Sequence, residues 1–176
     1  MIGLPIENDP QDKAEVTSIG EGSEIFPFTT IYEGAAIGKN VTIDECSRIG
    51  HKTKVGEQTK IVYGAKIYDN VTIGRNSIVG GFSCDRSKIG NNTTMMGTLV
   101  HKYLHHAIDT WDKELGPDEP TPVIENNAIV AFNSTIIGGV IVGEGAYVGA
   151  GTVVTENVPP NTKVYCRCEL VSSRRD

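Results

Sequence analysis

No run of apolar residues in this chain approaches the roughly 18 that a membrane-spanning helix needs. The first residues, MIGLPIENDPQDK, carry neither the basic start nor the apolar stretch of a secretory signal, so a cytoplasmic protein with no membrane partner is expected. Basic charge is also short: 16 Lys and Arg against 22 Asp and Glu give a net charge of −6. A general nucleic-acid binder needs a basic face to neutralise phosphates, which sets that class aside. Cysteine is sparse, with Cys46, Cys84, Cys166 and Cys168 the only four. A disulfide framework in a short secreted chain is denser than this. Cys166 and Cys168 could form half of a zinc site, but no second pair has ligand spacing, and the thiols read as ordinary cytosolic ones. Tryptophan occurs once and histidine four times. Trp111, His101, His105 and His106 all fall in GTLVHKYLHHAIDTWDKELGPDEPTP, residues 97–122.

What the chain has in abundance is a period. Every sixth residue from Ile19 to Val79 is aliphatic: Ile19, Ile25, Ile31, Ile37, Ile43, Ile49, Val55, Ile61, Ile67, Ile73, Val79. The comb returns at Ile124, Val130, Ile136, Val142, Val148 and Val154. From Thr17 to Ser77 and from Ala128 to Thr152 the position two before the aliphatic residue is Thr, Ser, Ala or Val, and glycine often follows (Gly20, Gly38, Gly56, Gly74, Gly143). A period of six suits neither a 3.6-residue helix nor an indefinitely alternating strand. It suits a coil of short strands, where a large and a small side chain two residues apart point inward and tight corners follow. Stacked coils then form continuous aliphatic ladders. The comb slips between Val79 and Ile89, which are ten residues apart; GGFSCDRSK is either a tolerated deletion or a functional bulge. After Met95 the next aliphatic in phase is Ile124, so a loop of about residues 97–122 is expected to leave the coil. Irregular segments of that length are usually functional or disordered, and one carrying Trp, Tyr, His and Leu suits disorder poorly.

The units IGKNVT, IGRNSI, IGNNTT and VGEGAY are copies of the hexapeptide-repeat pattern, and the chain resembles that family over about residues 16–160. The resemblance implies an all-β fold: a left-handed parallel β-helix of triangular section, with one long extruded loop and a short C-terminal tail. The expected boundaries are 1–160 for the β-helix and 161–176 for the tail. The order VHKYLH, an acidic loop, then EPTPVIENNAIVAFNSTIIGGVIVGEGAYVGAGTVVTENVPPNT is similar to the maltose, galactoside and nodulation-type O-acetyltransferases. That similarity implies acetyl-CoA as co-substrate, no metal, a small acceptor such as a sugar or nucleotide-sugar, and a homotrimer whose grooves hold the sites. On the family pattern His101 takes the place of the catalytic histidine. Ala131, Phe132, Gly149, Ala150 and Thr155 fall where coenzyme A lies. Two positions depart from it: Ile129 replaces a tryptophan and Glu156 a lysine, which leaves Lys163 and Arg167 as the nearest phosphate contacts.

The residues themselves permit this chemistry. Acyl transfer from a thioester needs a base for the acceptor's proton, and neutral imidazole, with a pKa of about 6.5, is the usual choice. No G-x-S-x-G elbow is present, nor is a nucleophile needed when donor and acceptor meet directly. His101 is the expected base. His105 and His106 read as loop packing, and His51, in IGHKTKVG, as an outward residue without a role. Among Asp109, Asp112, Glu114, Asp118 and Glu119, either one carboxylate orients the imidazole or all belong to a solvated acidic loop. Asp85 and Trp111 are candidate acceptor contacts. Two other readings stand beside this one. His101 and His106 copy part of a zinc-ligand spacing, as in a gamma-class carbonic anhydrase; and a non-catalytic β-helix scaffold would carry the same repeat.

Overall fold

The computed structural model of the chain describes residues 1–4, 15–102 and 119–167. Every element among them is a β-strand of two or three residues, twenty-three in all from Ile2–Leu4 to Lys163–Val164. No helix among the described residues is long and apolar enough to cross a membrane. The strands pair in parallel into three sheets of eight, seven and eight strands, and from Ile2–Leu4 to Val153–Val154 the chain visits the sheets in strict rotation. This is a parallel β-helix of triangular section, as the hexapeptide resemblance implies.

Register explains the comb. In the first sheet Ile31 pairs with Ile49, Ile49 with Ile67, Ile67 with Ser83, Ser83 with Leu99, Leu99 with Ile136 and Ile136 with Val154. These inward side chains are buried from Ile31 onward, so each coil hides its aliphatics only by stacking on the next. The small residue two positions earlier also has a physical task. The Thr53 and Thr59 hydroxyls donate to the corner carbonyls of Tyr68 and Gly74, one coil on, each at 2.8 Å. A larger side chain would fill the coil and leave those carbonyls without that partner.

The glycine that follows many aliphatics does not adopt a left-handed conformation. It sits where successive coils touch: a Cβ on Gly74 would lie 2.5 Å from the Gly90 carbonyl carbon and 2.6 Å from Asn91 N. The left-handed corner residues come two positions later and are often asparagine, as at Asn76 (φ 54°) and Asn92 (φ 53°).

Three features depart from the sequence-based expectations. The comb does not stop at Met95: Leu99, fully buried, continues the first sheet's ladder. It is out of phase because the corner Met96-Gly97 has two residues where Val62 to Ala65 has four. The slip at Gly80-Gly81 is the same shortening one coil earlier. Thr98–Val100 is therefore a strand inside the interval expected to be loop, and Val123–Ile124 is the next strand of the second sheet. At the top, Ile2–Leu4 pairs with Thr30–Tyr32 and starts the first sheet, a strand outside the comb. At the bottom, Lys163–Val164 pairs with Tyr147–Val148 and carries the third sheet past residue 160.

Candidate active site at the root of the loop

Each turn of the prism has three edges. The first joins the first sheet to the second, and the residue two past each inward side chain of the first sheet lies on it. Register places Glu33, His51, Asp69, Asp85 and His101 there in one column, with Gly138 next. Normal coils space these residues by 18; the two short corners bring Asp85 and His101 each 16 after its predecessor.

The column is tied together by its carboxylates. Asp69 Oδ1 accepts the His51 N–H at 2.9 Å and lies 3.3 Å from Arg48 Nη2. Asp85 Oδ1 accepts the Asp69 N–H at 2.7 Å. The second oxygen of Asp85 is therefore held toward the next coil, 3.8 Å from His101 Nε2. On the other side of the ring Glu119 Oε2 is 3.4 Å from His101 Nδ1, and Arg86 Nη2 is 4.0 Å from the same oxygen. The imidazole is almost fully buried (3% exposed), Glu119 is 14% exposed and Asp85, at 25%, is the most open of the three.

The two roots of the loop close on glycine. A Cβ on Gly138 would lie 2.6 Å from Lys102 N and 2.8 Å from Pro120 O, so only a residue without a side chain lets both roots meet there. The returning chain is fixed by the Thr121 hydroxyl, which donates to Arg86 O at 3.1 Å, and by Pro122 O, which accepts from Lys88 N at 3.2 Å. Glu119 thus reaches His101 from a short, anchored segment. Beside the site the buried Cys84 thiol is pushed up from its usual 9.0 to about 11, chiefly by burial, with the Asp85 charge adding to the rise.

His51 is not the outward residue that its place in IGHKTKVG suggests. It is buried, with Nε2 3.4 Å from Glu33 Oε1, because side chains at this edge lie along the column instead of pointing away from it. Of the five loop carboxylates, Glu119 stands beside His101, and Asp109, Asp112, Glu114 and Asp118 lie outside the described residues. Arg86 went unnoticed, since nothing in CDRSK shows that its coil lies beside the loop's end. Trp111, His105 and His106 lie outside the described residues. Among the described residues no set of three His, Cys, Asp or Glu side chains is placed to hold a metal ion.

The remaining candidates are not all beside His101. Thr155 is on the first edge, two coils below it. Ala131, Phe132, Gly149 and Ala150 stand on the edge between the third and first sheets, one whole face away. Lys163 lies over the Tyr147 ring at 5.0 Å, and Arg167 is exposed beyond it. Within one chain these residues and His101 do not meet.

The family model for the bacterial transferase hexapeptide (six repeats) matches residues 17–51 and 121–156. Among curated proteins, the bifunctional protein GlmU of Thermotoga petrophila is 30% identical over 154 residues, 82% of this chain and 34% of that protein. The serine acetyltransferase of Bacillus subtilis is 33% identical over 103 residues, 54% of this chain and 42% of that one. The chain thus spans about a third of the first relative's length. Among solved structures, the UDP-N-acetylglucosamine acyltransferase of Francisella novicida shares the fold with a TM-score of 0.59 at 22% identity, over 85% of this chain and 56% of that one. With its comb, its three parallel sheets and this match in both halves, the chain carries the bacterial transferase hexapeptide repeat.

Proposed function

We propose that the chain is a coenzyme A-dependent acyltransferase, moving an acetyl group from acetyl-CoA to a small acceptor such as a sugar or nucleotide-sugar, with His101 as general base. The observation that carries this reading is the placement of His101 between Glu119 and Asp85 at the root of the loop. On this reading Nδ1, which faces the Glu119 carboxylate, carries the proton, and Nε2, on the Asp85 side, is the nitrogen that takes the acceptor's proton. Glu119 is a positioning residue: it selects the tautomer and stabilises the imidazolium that forms when Nε2 takes the acceptor's proton. The acceptor then attacks the thioester carbonyl, the C–S bond breaks, and the proton passes from Nε2 to the leaving thiolate.

The coenzyme would run along the edge that carries Ala131, Phe132, Gly149 and Ala150, where the small side chains of Ala131 and Ala150 let backbone groups approach it. Lys163 and Arg167 follow toward its phosphates. Because this edge and His101 stand on different edges of one prism, the complete site forms between two copies. A homotrimer does this three times, each copy giving one edge to each neighbour. Exposed Phe28, Tyr63 and Phe132 on the same edge support a covered surface there.

A thermal-shift series with acetyl-CoA, CoA and zinc chloride tests the reading, since a ligand of the folded state raises its apparent stability. Acetyl-CoA and CoA should both raise Tm at micromolar concentrations, and acetyl transfer to a sugar panel should then be detectable by mass spectrometry. A shift with zinc alone would favour the metal reading instead.

A further inference from the structure

We infer that Arg48, three coils above His101, is a positioning residue of this site, acting through Asp69 and Asp85. This rests on the acyl-transfer reading above, in which His101 takes the acceptor's proton and the Asp85 charge stabilises the imidazolium that results. The coils are counted on the first sheet's ladder, where Ile49 pairs with Ile67, Ile67 with Ser83 and Ser83 with Leu99. At about 4.8 Å per coil, Arg48 is roughly 14 Å from the base and meets no reacting atom.

Arg48 is itself firmly held. Nη1 donates to Ile67 O at 3.0 Å, and the guanidinium lies over both the Tyr32 and Tyr68 rings, 4.5 and 4.4 Å from their centroids. Tyr68 packs in turn on Phe82 at 5.0 Å, so the stack runs over four consecutive coils. A planar guanidinium can stack on rings and donate in its own plane at once; an ammonium cannot. The fork is aimed at Asp69, with Nη2 3.3 Å from Oδ1. The same oxygen accepts the His51 N–H at 2.9 Å. Gly50 leaves room for it: a Cβ there would collide with Asp69 Oδ1 and with the Tyr68 backbone.

The pair is partly exposed, 27% for Arg48 and 31% for Asp69, so it adds little stability on its own. What it fixes is direction. Two carboxylates on adjacent coils repel each other. With its carboxylate drawn up to Arg48, Asp69 presents its N–H, not its charge, to Asp85. That N–H donates to Asp85 Oδ1 at 2.7 Å, and Asp85 Oδ2 stands 3.8 Å from His101 Nε2, at ion-pair distance. The orientation of the charge beside the base is therefore set by contacts that begin three coils away.

The test is a double-mutant cycle on acetyl transfer, with an acceptor from the sugar panel that is turned over. Arg48→Met keeps an apolar stem against the rings and removes the donors. It should lower kcat by roughly 10- to 100-fold, the scale of a small misplacement at a reacting centre, and leave KM for acetyl-CoA unchanged. Arg48→Lys keeps the charge without the fork and should recover part of that loss. Asp85→Asn keeps an oxygen for the Asp69 N–H but lowers kcat directly. Adding Arg48→Met to it should cost less than about twofold more, because the route through Asp85 is already cut. If Arg48→Met melts too low to assay, Asp69→Asn takes its place in the same cycle. It keeps an oxygen for the His51 N–H and removes the charge that Arg48 faces. Full kcat in a folded Arg48→Met or Asp69→Asn, or the same fold-loss with and without Asp85, overturns the inference and leaves acyl transfer standing. No transfer by the unsubstituted chain to any acceptor sinks both readings.

Discussion

His101 owes its proposed role to what surrounds it. An imidazole at the tip of a solvated loop would be free to tumble. Here it stands at the root, with Glu119 on one nitrogen and Asp85 on the other, and Asp85 is held in turn by Asp69. If Glu119 sets the tautomer, Glu119→Gln keeps an acceptor but removes the charge that stabilises the imidazolium. We expect kcat to fall by about 10²-fold or more, a changed pH–rate profile, and an unchanged KM for acetyl-CoA. His101→Ala should lose roughly 10²–10⁴-fold, and CoA binding by calorimetry should persist. A Glu119→Gln enzyme with wild-type kcat and pH profile would reduce that contact to packing. Cys84 makes a separate prediction. Its folded pKa of about 11 lies above its usual 9.0, so the neutral thiol is favoured by folding. That contribution is complete below pH 9 and is lost as pH rises toward 11. At pH 8 iodoacetamide should label exposed Cys46 and Cys166 and spare Cys84 until the chain is unfolded. Peptide mass spectrometry reads this directly.

At the scale of the element, stability lies in the corners as much as in the strands. Two-residue strands supply few backbone bonds each, and their stacking depends on how closely successive corners approach. Gly74→Ala would push a Cβ into the Gly90 backbone, and we expect a loss of about 1–3 kcal/mol in denaturant unfolding. Gly64, at φ 69° with nothing within 4 Å of its added Cβ, differs: Gly64→Asn should cost less than about 1 kcal/mol. Equal costs would mean that close approach is not what the glycines after the aliphatics provide. Corners also decide how much could be read from the sequence. The ladders were legible because each inward aliphatic repeats at six. Leu99 was not, since the two-residue corner Met96-Gly97 shifts it out of phase and makes a strand look like the start of the loop. The same shortening hid the pairing of Asp85 with His101, which a constant step of 18 does not bring into register. His51 was misread because alternation along a strand says nothing about side chains lying along an edge.

For the whole molecule, the proposed function turns on two edges. His101 and Asp85 stand on one, and the residues proposed for coenzyme A stand on another, so under the proposed function a single prism carries two half-sites and no complete one. Family resemblance suggested a trimer; the separation of these residues supplies a physical reason for one. The most direct test is complementation between two inactive variants, His101→Ala and Ala150→Trp, the latter placing a bulky ring on the exposed coenzyme edge. Each should be inactive alone. Unfolded together in equal amounts and refolded, they should regain about a quarter of wild-type activity, because about one in four interfaces then joins an intact His101 to an intact neighbouring edge. Recovery near that fraction, with a trimer by light scattering, is the predicted result. No recovery from a properly refolded mixed trimer would place both half-sites in one chain and contradict the account.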